Sequence, residues 1–153
     1  AAVVLGFAWA HALGAAGTDS VDAIASDGSG GYYVAGQYRY TVTFGATSLT
    51  SSTLETFVAH MDSSGTYDWA IRADGVPYGI AADGTGGAIV CGYFASTFGT
   101  FTTRGGDDAY VMRVTSSGMT WVGAWRSLGN HLGPLWRLKI EPKISLGALD
   151  GFS

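Results

Sequence analysis

The chain has 153 residues, of which only 13% are charged, and a formal net charge of −4, with 24 glycines and 13% aromatics. Intrinsic disorder is excluded, because it needs low hydrophobicity and high net charge. A phosphate-reading surface is excluded too, since no basic run interleaves with aromatics. One cysteine, Cys91, rules out an internal disulfide, and no stretch reaches the ~18 apolar residues of a membrane span. What remains is one domain with a real core, all-β, with strands buried on both faces and joined by tight glycine turns.

Ala1 in place of Met reads as a processed product or a piece of a longer chain. The apolar opening, residues 1–17, lacks the basic flank of a signal peptide. Residues 1–13 read instead as the end of a repeat unit. Gly6-Phe-Ala-Trp9-Ala10 echoes Gly65-Thr-Tyr-Asp-Trp69-Ala70 and, less closely, Gly118-Met-Thr-Trp121-Val122. Each is a glycine turn followed by tryptophan.

Strands are expected at about 21–26 and 32–40, joined by Asp27–Gly31. The sequence A-S-D-G-S-G-G-Y-Y-V-A-G-Q-Y at 25–38 returns as A-A-D-G-T-G-G-A-I-V-C-G-Y-F at 81–94. Asp caps its own backbone, and Gly supplies the positive φ of a tight reversal, so each copy predicts an antiparallel hairpin. Thr41–Phe44 forms a further apolar run, with Phe44-Gly45 matched by Phe98-Gly99, and the polar stretch Ser48–Thr53 reads as a connector. Glu55–Met61 then alternates with period two, placing Phe57, Ala59 and Met61 on one face and Val58 and His60 on the other. Asp108–Val114 repeats the alternation with Tyr110, Met112 and Val114 against Val111 and Arg113. Ser63-Ser-Gly65 and Ser116-Ser-Gly118 turn both copies at the same point.

One unit therefore holds four short strands, with a period of about 52 to 60 residues depending on the landmark, the pattern of a propeller blade. Trp69-Ala70, Asp19, Ile24-Ala25, Asp27, Gly30, Tyr33-Val34, Gly36, Phe44-Gly45, Phe57-Val58-Ala59 and Asp62–Gly65 carry a resemblance to the SBBP family of β-propeller repeats over roughly residues 5–125. That family recurs in bacterial and archaeal surface and secreted proteins. Gly31 and Gly87 stand where the family has Asn, at a position read as left-handed. The second copy has a shortened connector with Pro77, and Thr115 replaces the acid that Asp62 represents. Blade units are expected at about 14–70 and 71–125, with 1–13 the end of a preceding blade.

From Arg126 the pattern fails. Residues 1–125 carry four Arg and ten acids, net −6, whereas 126–153 carry four basic and two acidic residues, net +2. This tail is expected to be irregular or poorly ordered, with a weak strand signal at Leu135–Ile140.

No catalytic, cofactor or metal residues are assigned. His60 sits mid-strand opposite Phe57 and Met61, with Arg113 in its place in the other copy, and reads as a surface or inter-blade packing residue. His11 and His131 are isolated, and neither His-x-His nor Cys-x-x-Cys occurs. Asp19, Asp22 and Asp27, and the pair Asp107 and Asp108, could gather oxygen ligands for Ca²⁺. The loop from Asp27 lacks a closing Glu at its twelfth position, and Gly75 and Tyr78 replace Asp19 and Asp22, so turn capping is the expected role. Gly28-Ser-Gly-Gly is no nucleophile elbow, and the glycine loops lack the Lys of a phosphate loop. Cys91 takes the place of Ala35 and is expected to be a small buried residue. Trp9, Trp69 and Trp121 keep a fixed place in each unit, which is a packing role first and a sugar platform second.

The resemblance implies an extracellular or cell-surface protein, and with no catalytic constellation in the sequence the expected function is a non-catalytic structural or binding module. Its partners would be further blades or a second copy, with a protein or glycan ligand and no cofactor. The competing expectation is part of a carbohydrate-active propeller enzyme whose catalytic residues lie largely elsewhere.

Overall fold

A computed structural model describes residues 9–14, 16–103 and 106–125. The tail from Arg126, with the strand expected at Leu135–Ile140, lies outside the described residues. Among those residues every regular element is a strand, and no helix is long and apolar enough to cross a membrane.

The first sheet joins β1 (Ser20–Ser26), β2 (Tyr32–Phe44), β3 (Thr47–Met61) and β4 (Tyr67–Ala73) in chain order. Then come β5 (Val76–Ala82) and β6 (Ala88–Phe94), a small hairpin of β7 (Thr97–Phe98) and β8 (Phe101–Thr102), and finally β9 (Asp108–Thr115) and β10 (Gly118–Trp125). The second sheet has the order β5-β6-β9-β10. All neighbours in both sheets are antiparallel, so the two sheets have one topology.

The register agrees as well. Tyr32, Val34 and Gly36 face Met61, Ala59 and Phe57, while Ala88, Val90 and Gly92 face Val114, Met112 and Tyr110. Both edge strands carry a bulge at the matching place, Val21/Ala23 and Pro77/Gly79. Pro77 is compatible with pairing because it sits beside that bulge on an edge strand. Gly36 and Gly92 lie opposite the bulges, where a Cβ would collide with the Ser20 and Val76 carbonyls respectively. Glycine is required at both by close backbone approach.

Three expectations are corrected. Thr41–Phe44 and Ser48–Thr53 are not a separate run and a connector. They extend β2 and β3 into one long hairpin, paired from Tyr40↔Ser51 to Phe44↔Thr47. Alternating Thr and Ser side chains support this polar arm by cross-strand bonds, Thr41 to Thr50 and Thr43 to Ser48, each 3.0 Å. A bulge lies between Tyr38 and Tyr40, with Tyr40 at φ 70°, and beyond it Val42 and Phe44 are buried with Phe57 of the same sheet. Second, β4 continues to Ala73, past the expected unit boundary at residue 70. Third, the left-handed glycines of the first turn are Gly28 and Gly30 (φ 84° and 97°), not Gly31. Gly31 is needed for space, because a Cβ there would meet the Met61 carbonyl and the Asp27 carboxylate.

Period-two alternation gives each sheet two apolar faces. Tyr33, Ala35, Val58 and Ala73 of the first sheet pack with Ala88, Val90, Phe94, Tyr110, Met112 and Val114 of the second in one buried cluster, joined by Trp69 and Ile71. We call the face of the first sheet that makes this contact its back face. Its front face carries Val34, Tyr38, Val42, Phe44, Phe57, Ala59 and Met61, against which Trp9 and Leu13 pack. The front face of the second sheet therefore meets the back face of the first. Cys91 marks the consequence. Its counterpart Ala35 is fully buried by the second sheet, whereas Cys91, on the back face of that second sheet, is exposed and free. The expected burial of Cys91 is wrong because burial there depends on the next layer and not on the residue.

Two aromatic positions are exchanged between the sheets. Tyr38 and Phe57 of the first correspond to Phe94 and Tyr110 of the second, and all four are buried. Among the described residues the phenol oxygens of Tyr38 and Tyr110 have no hydrogen-bond partner, and burial raises the pKa of both groups above the ordinary phenol value. A buried unpaired hydroxyl costs about 1–3 kcal/mol. Tyr38→Phe and Tyr110→Phe are therefore expected to be neutral or to stabilise the fold by about 1 kcal/mol each, read as a rise in the urea midpoint at constant slope. A loss of stability in either would show that its hydroxyl is hydrogen-bonded.

Candidate functional site at the turn end of the two sheets

At the end where β1 turns into β2, three aspartates organise the chain in the same way. Asp27 Oδ1 accepts hydrogen bonds from the Ser29 and Gly31 amides at 2.7 and 2.8 Å. Asp83 Oδ1 accepts from Thr85 and Gly87 at 2.7 and 2.9 Å, and Asp62 Oδ1 from Ser64 and Thr66 at 2.8 and 2.9 Å. The turn-capping role expected of Asp27 is what the geometry shows, and Thr115 supplies a hydroxyl substitute, accepting from the Ser117 amide at 3.2 Å. Asp19 accepts from the Arg39 amide at 3.3 Å, beyond the opposite end of β1 from Asp27. No group of three or more His, Cys, Asp or Glu among the described residues is arranged to hold a metal ion.

His60 does have partners. Its Nδ1 lies 2.7 Å from Asp68 Oδ2 and its Nε2 3.2 Å from Asp27 Oδ2. Carboxylates only accept, and a neutral imidazole has one N–H, so the ring donates to both at once only when both nitrogens carry protons. In the second sheet Arg113 takes this position. Its guanidinium donates to Asp83 Oδ2, to the Thr85 hydroxyl at 3.0 Å and to the Thr120 hydroxyl at 3.2 Å. A basic residue on the third strand thus ties the Asp turn to the fourth strand in both units. Sequence reading missed the pairing because Asp27 and Asp68 are remote in the chain, although a basic residue at one repeat position opposite a constant Asp was the available signal.

His60 is also walled by aromatics. The Tyr33 ring lies 4.7 Å from it, and Trp69 stacks at 6.1 Å with an interplanar angle of 19°. Asp27, Ser29, Tyr33, His60, Asp68 and Trp69 line one side of a cleft of about 350 Å³, and Ala82, Gly84 and Gly86 of the second sheet line the other. The cleft lies at the junction of the two sheets, with backbone on one wall and carboxylate, imidazole and indole on the other. Trp69 keeps the packing role expected of it and borders this opening. Trp9 packs instead on the front face, 5.9 Å from Tyr32, with His11 beside it at 5.5 Å. His131 lies outside the described residues. No protein-family model matches the chain, and no curated protein matches it.

The electrostatics follow from these contacts. The Ser29 hydroxyl and amide, with help from His60, hold the Asp27 carboxyl well below the ordinary carboxylate range. Asp62 is lowered chiefly by the Ser64 hydroxyl. At Asp83 burial pushes the other way, and the Thr85 and Gly87 amides, the Thr85 hydroxyl and Arg113 outweigh it. A carboxyl that is more acidic folded than unfolded contributes stability that is complete above its unfolded value and is lost as pH falls through its folded one. Stability is therefore expected to fall as pH drops below about 4, the unfolded Asp value. The triple variant Asp27→Asn, Asp62→Asn, Asp83→Asn should flatten that fall, measured by urea unfolding at successive pH values.

The correspondence of His60 with Arg113 gives a second expectation. His60→Arg should keep the clamp and change stability by less than about 0.5 kcal/mol, while His60→Ala leaves Asp27 and Asp68 facing each other and should cost about 1–2 kcal/mol. Urea unfolding near neutral pH distinguishes the two. Equal losses would mean that the basic side chain at this position is not what joins the turn to β4.

Proposed function

We propose that this chain is a pair of consecutive propeller-type blades of the SBBP-like kind, serving as a non-catalytic binding or structural module of an extracellular or cell-surface protein. The observation that carries the reading is the junction of the two sheets. The front face of one four-stranded unit covers the back face of the one before it, through residues at repeated positions. Such a contact can be propagated from unit to unit, as blades around an axis require. The resemblance in sequence supplies the location and the family.

Ligands of modules of this sort bind where layers meet and turns converge, and the cleft beside His60 is that place in this chain. Its chemistry suits polar recognition. Carboxylates, an imidazole and an indole edge can hydrogen-bond and stack a sugar or a peptide. Glycoside hydrolysis asks for something different, a pair of carboxyls of which one is kept protonated as an acid. Asp27 is held ionised by its turn, so it is unsuited to the part of the protonated acid.

Titration of the whole chain with a panel of soluble oligosaccharides and short peptides, followed by two-dimensional NMR, tests the reading. A ligand should shift the signals of Tyr33, His60 and Trp69 and be recovered unchanged. Cleavage of a glycan by the chain, abolished by Asp27→Asn or Asp68→Asn, would overturn it in favour of an enzyme.

A further inference from the structure

The two units hold their basic residue in different company. In the second, Asp83 is the carboxylate that Arg113 meets, and the guanidinium directs its further donors to the Thr85 and Thr120 hydroxyls. One charge answers one charge. In the first unit the matching positions are Asp27, Ser29 and Asp68. The Asp27 and Asp68 carboxylates flank a single imidazole, so this wall carries at least one unanswered negative charge, whichever protonation state the ring takes. Across the cleft, Asp83 is already paired with Arg113.

Of the three contacts that the Arg113 guanidinium makes, His60 reproduces those to the turn aspartate and to β4 and makes none to the Ser29 hydroxyl. Ser29 Oγ donates to Asp27 Oδ2 at 2.7 Å, which leaves its lone pairs for an incoming donor. The Asp68 side chain is 47% exposed, and His60 engages only its Oδ2. Ser29, Asp68 and Trp69 all line the cleft of about 350 Å³.

We infer that the cleft beside His60 takes a guanidinium, the side chain of an arginine carried by a partner peptide or protein. The cation donates to the Asp68 carboxylate and the Ser29 hydroxyl and lies against the Trp69 indole. The inference rests on the binding-module reading and names the ligand class of its cleft. Its template is the second unit, where the chain's own guanidinium sits on the same three positions. An ammonium suits the place less well, because the acceptors lie on two elements, the β1–β2 turn and β4, and a flat fork of N–H donors reaches both while it stacks. A neutral sugar leaves the surplus charge unanswered.

The test is an NMR titration of the whole chain with a tripeptide that has arginine between two glycines and is blocked at both ends. The signals of Ser29, Asp68 and Trp69 should shift and saturate. The citrulline analogue, similar in shape and uncharged, should bind at least about tenfold more weakly, and Asp68→Asn should weaken the arginine peptide to a similar degree. His60→Arg supplies the cation from within, as Arg113 does, and should abolish binding with the folded spectrum retained. His60→Gln leaves the place open and should still bind.

No saturable shift with the arginine peptide, or equal affinity for the arginine and citrulline peptides, would overturn the inference. Loss of binding in both His60 variants would assign recognition to the imidazole and overturn it as well. Free arginine that binds as tightly as the tripeptide would give the cleft to the amino acid and overturn the assignment to a partner protein. The binding-module reading fails separately. An oligosaccharide that shifts these signals when the arginine peptide does not would sink the guanidinium alone, whereas cleavage of an oligosaccharide by the chain would sink the module reading itself.

Discussion

The structure depends on one contact, the packing of the first sheet's back face on the second sheet's front face. Tyr33, Ala35 and Val58 meet Val90, Met112 and Val114 there. Small and β-branched side chains share this contact with bulky ones, the usual way two pleated surfaces interdigitate at about 10 Å. Removal of this apolar area from water, at ~25 cal/mol per Å², is what makes two four-stranded sheets one body. A lone sheet of this size would leave one apolar face wet. The cleft at the turn end exists because the same contact sets the distance between the Asp27 turn and the Gly84–Gly86 turn.

Within each sheet, glycine and aspartate perform a different kind of work. Gly36 and Gly92 let a bulged edge strand approach without a Cβ in the way. The aspartates convert a five-residue reversal into a closed hydrogen-bonded unit, with the Asp27 amide donating to the Gly31 carbonyl at 3.0 Å and the Asp83 amide to Gly87 at 2.9 Å. The side chain then has an oxygen to spare, and the third strand reaches for it, with His60 in one unit and Arg113 in the other. The two side chains differ in shape, a flat imidazole stacked on Trp69 in the first unit and a forked guanidinium in the second that also reaches the Thr85 and Thr120 hydroxyls.

The units also differ in how the second strand returns. In the first, β2 and β3 run on past Tyr38 as a polar Thr/Ser arm held by cross-strand hydroxyl pairs. In the second, the return shrinks to the small hairpin of β7 and β8. Both returns still bury apolar side chains, Val42 and Phe44 in the first and Phe98 and Phe101 in the second, so the variation lies in length and in the polar positions between them.

The all-β class, the four strands per unit, the Asp-capped turns and the two faces of Glu55–Met61 and Asp108–Val114 were legible in the amino-acid sequence. All of these depend on local rules, namely period-two alternation, turn chemistry and the return of the same residues at a similar interval. The extent of the polar arm was not legible, because Ser and Thr carry no hydrophobic period and read as a connector until a partner strand supplies their bonds. Nor was the partnership of His60 with Asp27 and Asp68, since the register of β1 to β4 alone brings residues 33 positions apart within hydrogen-bond distance. Burial was the hardest of all to read. Ala35 and Cys91 occupy one position in the repeat, and one is sealed while the other faces outward. That difference is set by which layer lies next to each sheet, a fact that belongs to tertiary packing and not to the residue.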